Sequence, residues 1–437
     1  MKKLLIIIAL FVLVVQTKAQ EKWTLEKCIS YALENNIVIQ QYQISTEYKK
    51  NQLNQAKYNK LPGVSASVSQ GLSSGRNENL SGTYDNFTQA NTNASLSSSI
   101  LIWSGGALNN TVKQNEYELK SSLEDFQKAK DDVTLNIASG YLDILFAQEL
   151  LKVAETQVVQ TQKQIERSKK LVEAGKIAEG ALLEVQAQLA REQLDVVNRK
   201  NNLQISYLNL AQLLELEDYS KFEIDVPEIP ELKAEISLMN SGAVYKKAVE
   251  VRPEIKSAEY QLKSTEVQLA IARGGKMPSL SAYAGISDYY LNAKNSPSVN
   301  DQVSGNISEN IGLSLSIPVF SKFQNRTNVE NAKLQITSQE LTLESAKKDL
   351  RKQIEQVYTN ALAALNRYNA NKIAVKSMEE SFRYIDEKYN VGRVNSVEYN
   401  DAKTKLAVAQ SDLIQAKYEF IFRSKILDFY NGIPIQL

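Results

Sequence analysis

The chain has 437 residues, with 51 basic against 50 acidic side chains, no histidine and one cysteine, Cys28. Serine–histidine and cysteine–histidine catalysis and histidine-ligated metals are therefore excluded, and one thiol builds neither an intrachain disulfide nor a thiolate metal site, so no cofactor is expected. Only 8 prolines and 17 glycines punctuate the chain, which predicts few, long elements.

The N-terminus, MKKLLIIIALFVLVVQTKAQ, has a positive start at Lys2 and Lys3, an apolar run from Leu4 to Val15, and the small-x-small site Thr17-Lys18-Ala19. Residues 1–19 read as a Sec signal peptide, too short in its apolar run to span a bilayer. Removing Lys2, Lys3 and Lys18 leaves 48 basic and 50 acidic groups, a net of −2, with no reason to expect nucleic acid. No later stretch of 18 apolar residues remains, so any membrane role falls to strands.

The first structural repeat is placed at 20–225. Residues 24 to 60 are helix-like, with Thr24 as N-cap and Leu61-Pro62 as the stop. A β-hairpin follows at 64–103: a strand from Val64 to about Leu72, a Ser/Asn/Gly-rich loop at 73 to 93, and a strand from Ala94 to Trp103. A long helix is expected over 107–174, where Val133, Ile137, Tyr141, Ile144, Gln148 and Leu151 recur at helical spacing. Gly175 and Gly180 make a turn, and a return helix runs from 181 to about 216.

A linker or equatorial segment at 226–240 carries Pro227 and Pro230, and the second repeat, 241–437, copies the first. YALENN (31–36) answers KAVEVR (247–252) and LPGVSA answers MPSLSA (277–282), both 216 apart. From the second strand on the offset is 217, joining Trp103 with Phe320, Tyr141 with Tyr358 and Gly175 with Gly392. This predicts a helix over 241–276, a hairpin at 280–320, and a long helix with Ile354, Tyr358, Ala361, Leu365 and Tyr368 inward. It also predicts a turn at Gly392 and a return helix from about 396 to 431. The 68 positions from 107 to 174 would reach about 100 Å, as would two shorter helices set end to end. The expectation is a rod with strands at one end and hairpin turns at the other.

Ile311, Leu313, Leu315, Ile317 and Val319 alternate with Gly312, Ser314, Ser316 and Pro318, and Val64, Ala66 and Val68 with serines. Such alternation fits transmembrane barrel strands, with Trp103, Phe320, Tyr289 and Tyr290 as membrane-interface aromatics. A one-sided soluble sheet shows the same alternation. Export favours the membrane, and because four strands cannot close a barrel, copies must share one: two give 8 strands, three give 12.

WTLEKCISYALENN near the start, LIWSGG (101–106), IPVFSK (317–322) and the hairpins LVEAGKIAEGALLEVQAQLA (171–190) and YNVGRVNSVEYNDAKTKLA (389–407) resemble the TolC-like outer membrane efflux protein family. The resemblance implies a mixed α/β membrane protein of the outer membrane, not an enzyme. It implies a homotrimer whose 12-stranded β-barrel, four strands per chain, continues into a long α-helical barrel, or tunnel, with a mid-height equatorial domain. Its partners would be a periplasmic adaptor (membrane fusion protein), an inner-membrane efflux pump or ABC transporter, and outer-membrane lipid. The hairpin tips for adaptor contact would be Gly175, Lys176, Gly180, Gly392 and Arg393, and the periplasmic gate or acidic ring would use Glu398, Asp401 and Tyr389. Ala181 and Val394 stand where a gating acid and its basic partner can sit, so a gate salt bridge of the familiar kind is not expected. Read from the residues alone, Glu398 and Asp401 are a solvated helix face. The competing reading of the whole chain is a periplasmic coiled-coil scaffold or adaptor without a membrane barrel.

Overall fold

A computed structural model describes residues 22–78, 81–227, 239–293 and 296–436. The expected signal segment and most of the expected linker lie outside them. In chain order the elements are α1 (Leu25–Asn35), α2 (Ile37–Tyr58), β1 (Gly63–Glu78), β2 (Tyr84–Ser104), α3 (Ala107–Glu173) and α4 (Glu179–Leu213). There follow α5 (Ser241–Val251), α6 (Pro253–Gly274), β3 (Ser279–Asn292), the short α7 (Val299–Gly305), β4 (Ser308–Ser316), α8 (Gln324–Asn390) and α9 (Ser396–Tyr430). The repeat is present residue for residue: α1 and α2 moved on by 216 give the bounds of α5 and α6, and α3 and α4 moved on by 217 give those of α8 and α9.

Several expected boundaries change. The helix expected over 24–60 breaks at Asn36, and that over 241–276 breaks at Arg252, both with extended ψ. The two breaks are made differently. Asn36 accepts from the N–H groups of Val38 (3.0 Å) and Ile39 (3.4 Å) and so caps α2, while donating to the Leu213 carbonyl. The second break places Pro253 first in α6, where its fixed φ suits the helix and its missing N–H costs nothing. Residues 73–78 and 84–93, expected as loop, are strand. They lack an apolar row, yet the β1–β2 ladder runs unbroken from Gly63 opposite Ser99 to Glu78 opposite Tyr84. The last strand ends at Ser316 instead of reaching Phe320.

The chain gathers into two units. One takes Met1–Gln43, Phe126–Pro253 and Lys347–Leu437. Its core joins Leu25, Cys28, Ala32 and Ile39 to Val133, Ile137, Tyr141, Ile144, Leu145, Leu210 and Leu214, so the expected inward stripe of α3 is buried down to Ile144. Trp23 pairs with Ile224 in a short parallel bridge, and the Tyr141 hydroxyl lies 2.5 Å from the Asp225 carbonyl and 3.1 Å from that of Trp23. Burial pushes the Cys28 thiol up to about 12, so it packs there as a small neutral group. Arg252 pairs with Asp131 at 2.9 Å and lies over the rings of Phe429 and Tyr430, at 5.1 and 5.4 Å.

In the same unit α3, α4 and α9 meet around a buried lysine. Lys403 is 2 % exposed and its partner Glu192 12 %. The Lys403 ammonium donates to Glu192 Oε1 (2.9 Å), to the Gln157 carbonyl (2.9 Å) and to Thr161 Oγ1, and Thr161 in turn donates to Glu192 Oε2. Desolvation lowers the lysine pKa, against the opposing pull of Glu192. All three of its protons therefore have acceptors, which is the condition under which a buried cation is tolerated.

The second unit takes Ile44–Asp125 and Glu254–Ala346 and holds the sheet, in the order β1-β2-β3-β4, antiparallel throughout. Rows run across all four strands: Val64, Ser98, Ala284 and Ile311 on one face, and Ser65, Ser97, Gly285 and Asn310 on the other. Strand glycines are overlain from the neighbouring strand: a Cβ on Gly71 would meet the Asn91 amide at 2.7 Å, and one on Gly312 the Tyr283 hydroxyl at 2.5 Å. At the exit from β2, Gly105 and Gly106 have φ of +59° and +79°. Their repeat counterparts, Lys322 and Phe323, hold φ of +49° and +64° despite their side chains.

A Cβ on Gly105 would stand 2.6 Å from the Gly274 carbonyl oxygen, whereas one on Gly106 meets nothing closer than 3.6 Å. Gly106→Ala is therefore expected to cost about 1–2 kcal/mol of left-handed strain, and Gly105→Ala about 3 kcal/mol because backbone must also shift. Equal losses on chemical unfolding of the two variants would refute the close approach. Around Lys403, Glu192→Ala is expected to cost roughly 3–5 kcal/mol by stranding a buried cation, with most of that loss regained in Glu192→Leu/Lys403→Met. A double variant as unstable as Glu192→Ala would show that desolvation is not the source of the loss.

Candidate functional site: the apolar band and the hairpin ends

The sheet's apolar row is open to its surroundings: Val68 is 75 % exposed, Leu313 69 % and Ile311 87 %. A contiguous apolar face of this kind is not left in water by a soluble protein. Tyr290 and Leu280 lie on that row, ten residues apart on β3, and Trp103 is opposite Leu280. Ten residues of strand at about 3.3 Å each, tilted by about 40°, rise about 25 Å, the height of the apolar band of a membrane barrel. Trp103 reaches the row through an irregularity between Leu101 and Trp103 that leaves Ile102 unpaired. By strict alternation Trp103 would share the serine face with Ser97 and Ser99; the extra residue swings it over. Tyr289 corrects the expected interface pair: adjacent strand residues face opposite ways, so it belongs to the serine face and only Tyr290 to the apolar one. Phe320 lies beyond β4, 72 % exposed, edge to face with Phe323 at 5.8 Å.

The two hairpin ends are built alike. Gly175 and Gly392 have φ of +65° and +73°, and the next N–H folds back across the helix end, from Lys176 to the Leu171 carbonyl (2.8 Å) and from Arg393 to the Lys388 carbonyl (2.9 Å). Such a closure needs a left-handed residue, which is why glycine recurs there. Lys176 and Arg393 are exposed at these turns. Gly180, expected in the first turn, is instead the second residue of α4. Asn395 caps α9 by accepting from the Glu398 N–H at 2.9 Å, while the corresponding Ala178 offers α4 no side-chain cap.

Glu398 and Asp401 are both exposed on the first turns of α9, and Asp401 pairs with Lys405 at 2.7 Å with both side chains about 60 % in water. Within one chain they are therefore a solvated face. Tyr389 sits in a cluster that the sequence did not disclose. Its ring centre lies 4.6 Å from that of Tyr399 with the planes tilted by 32°, Arg167 lies 5.3 Å over it, and Gln164 donates to its hydroxyl at 3.4 Å. Arg167 also donates to the carbonyls of Asn390 (2.5 Å) and Tyr389 (3.4 Å) at the end of α8, the latter also accepting from the Gly392 N–H at 3.1 Å. Burial and the Asp386 carboxylate hold the Tyr399 phenol well above its ordinary range. Ser396 donates to Glu184 at 2.9 Å, tying α9 to α4. Arg167 took no part in any recognised motif, because its acceptors are backbone carbonyls that carry no sequence signature. Among the described residues no group of acidic or thiol side chains is placed to hold a metal, and no helix is long and apolar enough to cross a membrane.

The model of the family described as outer membrane efflux protein matches residues 28–215 and 244–427. The outer membrane protein TolC of Escherichia coli is 24 % identical over 308 residues, 68 % of this chain, and the match spans 60 % of that relative's length. Among solved structures, CusC superposes with a TM-score of 0.79 at 19 % identity, covering 94 % of this chain and 92 % of that one. The outer membrane protein VceC of Vibrio cholerae gives 0.77 at 17 %, covering 94 % and 97 %. The four-stranded sheet joined to long helices is thus the fold of outer membrane channels, as the sequence led one to expect. The chain belongs to the outer membrane efflux protein family, and its place is the outer membrane, with a helical periplasmic part.

Proposed function

We propose that the chain is one subunit of a homotrimeric outer-membrane channel, a passive exit duct of a tripartite efflux or type I secretion system. The observation that carries this is the sheet. It offers an apolar face to lipid but, among the described residues, one edge of β1 and one edge of β4 pair with no strand, and lipid tolerates no open edge. Three copies supply 12 strands, and the serine faces then line a water-filled lumen. The duct has no chemistry of its own; an inner-membrane efflux pump or ABC transporter supplies the work through a periplasmic adaptor. The glycine-closed ends at Gly175-Lys176 and Gly392-Arg393 are compact, exposed and basic, and suit an adaptor's groove.

The same ends form the periplasmic entrance in this reading. Arg167 holds the end of α8 near α3 through the Tyr389 and Asn390 carbonyls, which keeps the entrance narrow. Glu398 and Asp401, repeated in three copies, bring six carboxylates together and favour cations.

The channel reading is checked by isolating the full-length protein from outer membranes. A heat-resistant oligomer with single-channel conductance in planar bilayers is expected; release by carbonate without conductance would favour a periplasmic scaffold instead. Arg167→Ala is expected to raise conductance several-fold, and unchanged conductance would remove Arg167 from the entrance. Glu398→Ala is expected to reduce the preference for cations over anions, and a wild-type reversal potential would place Glu398 off the lumen.

A further inference from the structure

The two halves of the chain meet in the sheet at the β2–β3 ladder, where Ser98 stands opposite Ala284, Ile100 opposite Ala282, and Trp103 opposite Leu280. The repeat carries β2 onto β4 by 217 residues and β3 back onto β1 by 216. Ser98 and Ala284 thus become Leu315 and Val68, Ile100 and Ala282 become Ile317 and Ala66, and Trp103 and Leu280 become Phe320 and Val64. These are residues of the two free edges.

We infer that β4 of one copy pairs with β1 of the next in this register, Leu315 opposite Val68 of the next copy, Ile317 opposite its Ala66, and Phe320 opposite its Val64. The inference rests on the shared-barrel reading and adds the seam's register to it. Three observations that did not enter the derivation agree with it. First, the apolar rows coincide: Ile311, Leu313 and Leu315 occupy the same face as Val64, Ala66 and Val68, whereas a slip of one residue would set them on opposite faces.

Second, the register accounts for where β4 stops. β1 pairs with β2 only as far as Gly63 opposite Ser99, and the remainder of β2, through Ser104, pairs with β3 alone. Likewise β3 pairs with β4 only as far as Ser279 opposite Ser316. The stretch Ile317 to Ser321, the counterpart of Ile100 to Ser104, has its ladder partner on the next copy, and in the single chain it lies outside any strand. Its side chains wait uncovered: Ile317 is 58 % exposed and Val319 92 %, and on the facing edge Leu61 is 62 % and Val64 68 % exposed. Third, Pro318, which lacks an N–H, is the counterpart of Leu101, the last β2 residue before the irregularity, so it falls beside a disturbed step of the ladder, where a proline does less harm than in a regular one.

The seam differs from the intrachain junction at one level. Gly105 and Gly274 approach so closely that neither has room for a side chain. Their counterparts are Lys322 and Tyr58, so the crossing between copies is wider and side chains fill it.

The test is cysteine cross-linking in outer membranes from cells making the full chain with Cys28→Ser. Leu315→Cys/Val68→Cys and Ser316→Cys/Ser67→Cys sample the two alternating pair geometries of an antiparallel ladder, only some of which suit a disulfide. Phe320→Cys/Val64→Cys samples the seam's far end. Ser98→Cys/Ala284→Cys, Ser99→Cys/Tyr283→Cys and Trp103→Cys/Leu280→Cys are the matching pairs inside one chain and calibrate each geometry. The expected result is that every seam pair whose intrachain counterpart oxidises gives a ladder of covalent oligomers, removed by reductant. Leu315→Cys with Leu72→Cys or with Val64→Cys, four residues out of register, should give none. Links through position 72 or 64 instead of 68 would overturn the register while leaving the shared barrel standing. So would an intact oligomer without seam links where the intrachain pairs oxidise. A chain that runs as a monomer in membrane extracts would overturn the shared barrel, and the register with it.

Discussion

Backbone hydrogen bonding in the sheet constrains everything else in this molecule. Helices satisfy their own N–H and C=O groups, but a four-stranded sheet in lipid leaves two rows of them facing hydrocarbon at several kcal/mol per group. No side chain of the chain can meet that cost, since the apolar row that suits lipid is the row that cannot hydrogen-bond. Closure by further strands can meet it, and since the described residues hold no strands beyond these four, the proposed reading takes the rest from other copies. On the proposed reading, assembly of the channel is therefore a condition for the sheet to be in the membrane at all.

The duplication separates what this architecture demands from what one sequence happens to supply. Both halves need a break between two short helices; one makes it with an asparagine cap and the other with a proline at the first helical position. Both need a left-handed pair where strand gives way to long helix. The first places Gly105 where another backbone comes within reach, followed by Gly106, where a Cβ meets nothing closer than 3.6 Å, and the second uses Lys322 and Phe323, both exposed within the chain. The geometry is shared while the residues are not. A left-handed φ alone favours glycine but is also held by Lys322 and Phe323; where neighbouring atoms forbid a Cβ as well, as at Gly105, glycine is required.

What the sequence disclosed divides along the same line. Helix lengths, the repeat and its change of offset were legible because periodicity and spacing survive in linear order. The apolar row was legible from alternation, as were the left-handed glycines of the hairpin ends. The polar halves of β1 and β2 were not, because serine, asparagine and glycine announce a loop unless a partner strand is known. The placement of Tyr289 and Trp103 needed register: one irregular residue before Trp103 reverses the face that simple alternation assigns. The ties around Tyr389 and Lys403 were invisible because Arg167, Gln157 and Thr161 lie more than 200 residues away in sequence, and three of those hydrogen bonds end on backbone carbonyls.

Those ties differ in how readily each can break, and this bears on how a duct could open without coming apart. The Lys403–Glu192–Thr161 cluster is nearly closed to water, so separating its members would strand a charge in a low dielectric. It holds α3, α4 and α9 as one piece. Asp401 and Lys405 form a pair already in solvent, on a single helix, and worth little. Arg167 stands between these extremes. It binds carbonyls at a helix end that is exposed, and water can replace it there at a small net cost. On the proposed reading an adaptor gripping the hairpin ends needs to displace only the Arg167 contacts to free the end of α8. The buried lysine keeps the remaining helices in register while that end moves.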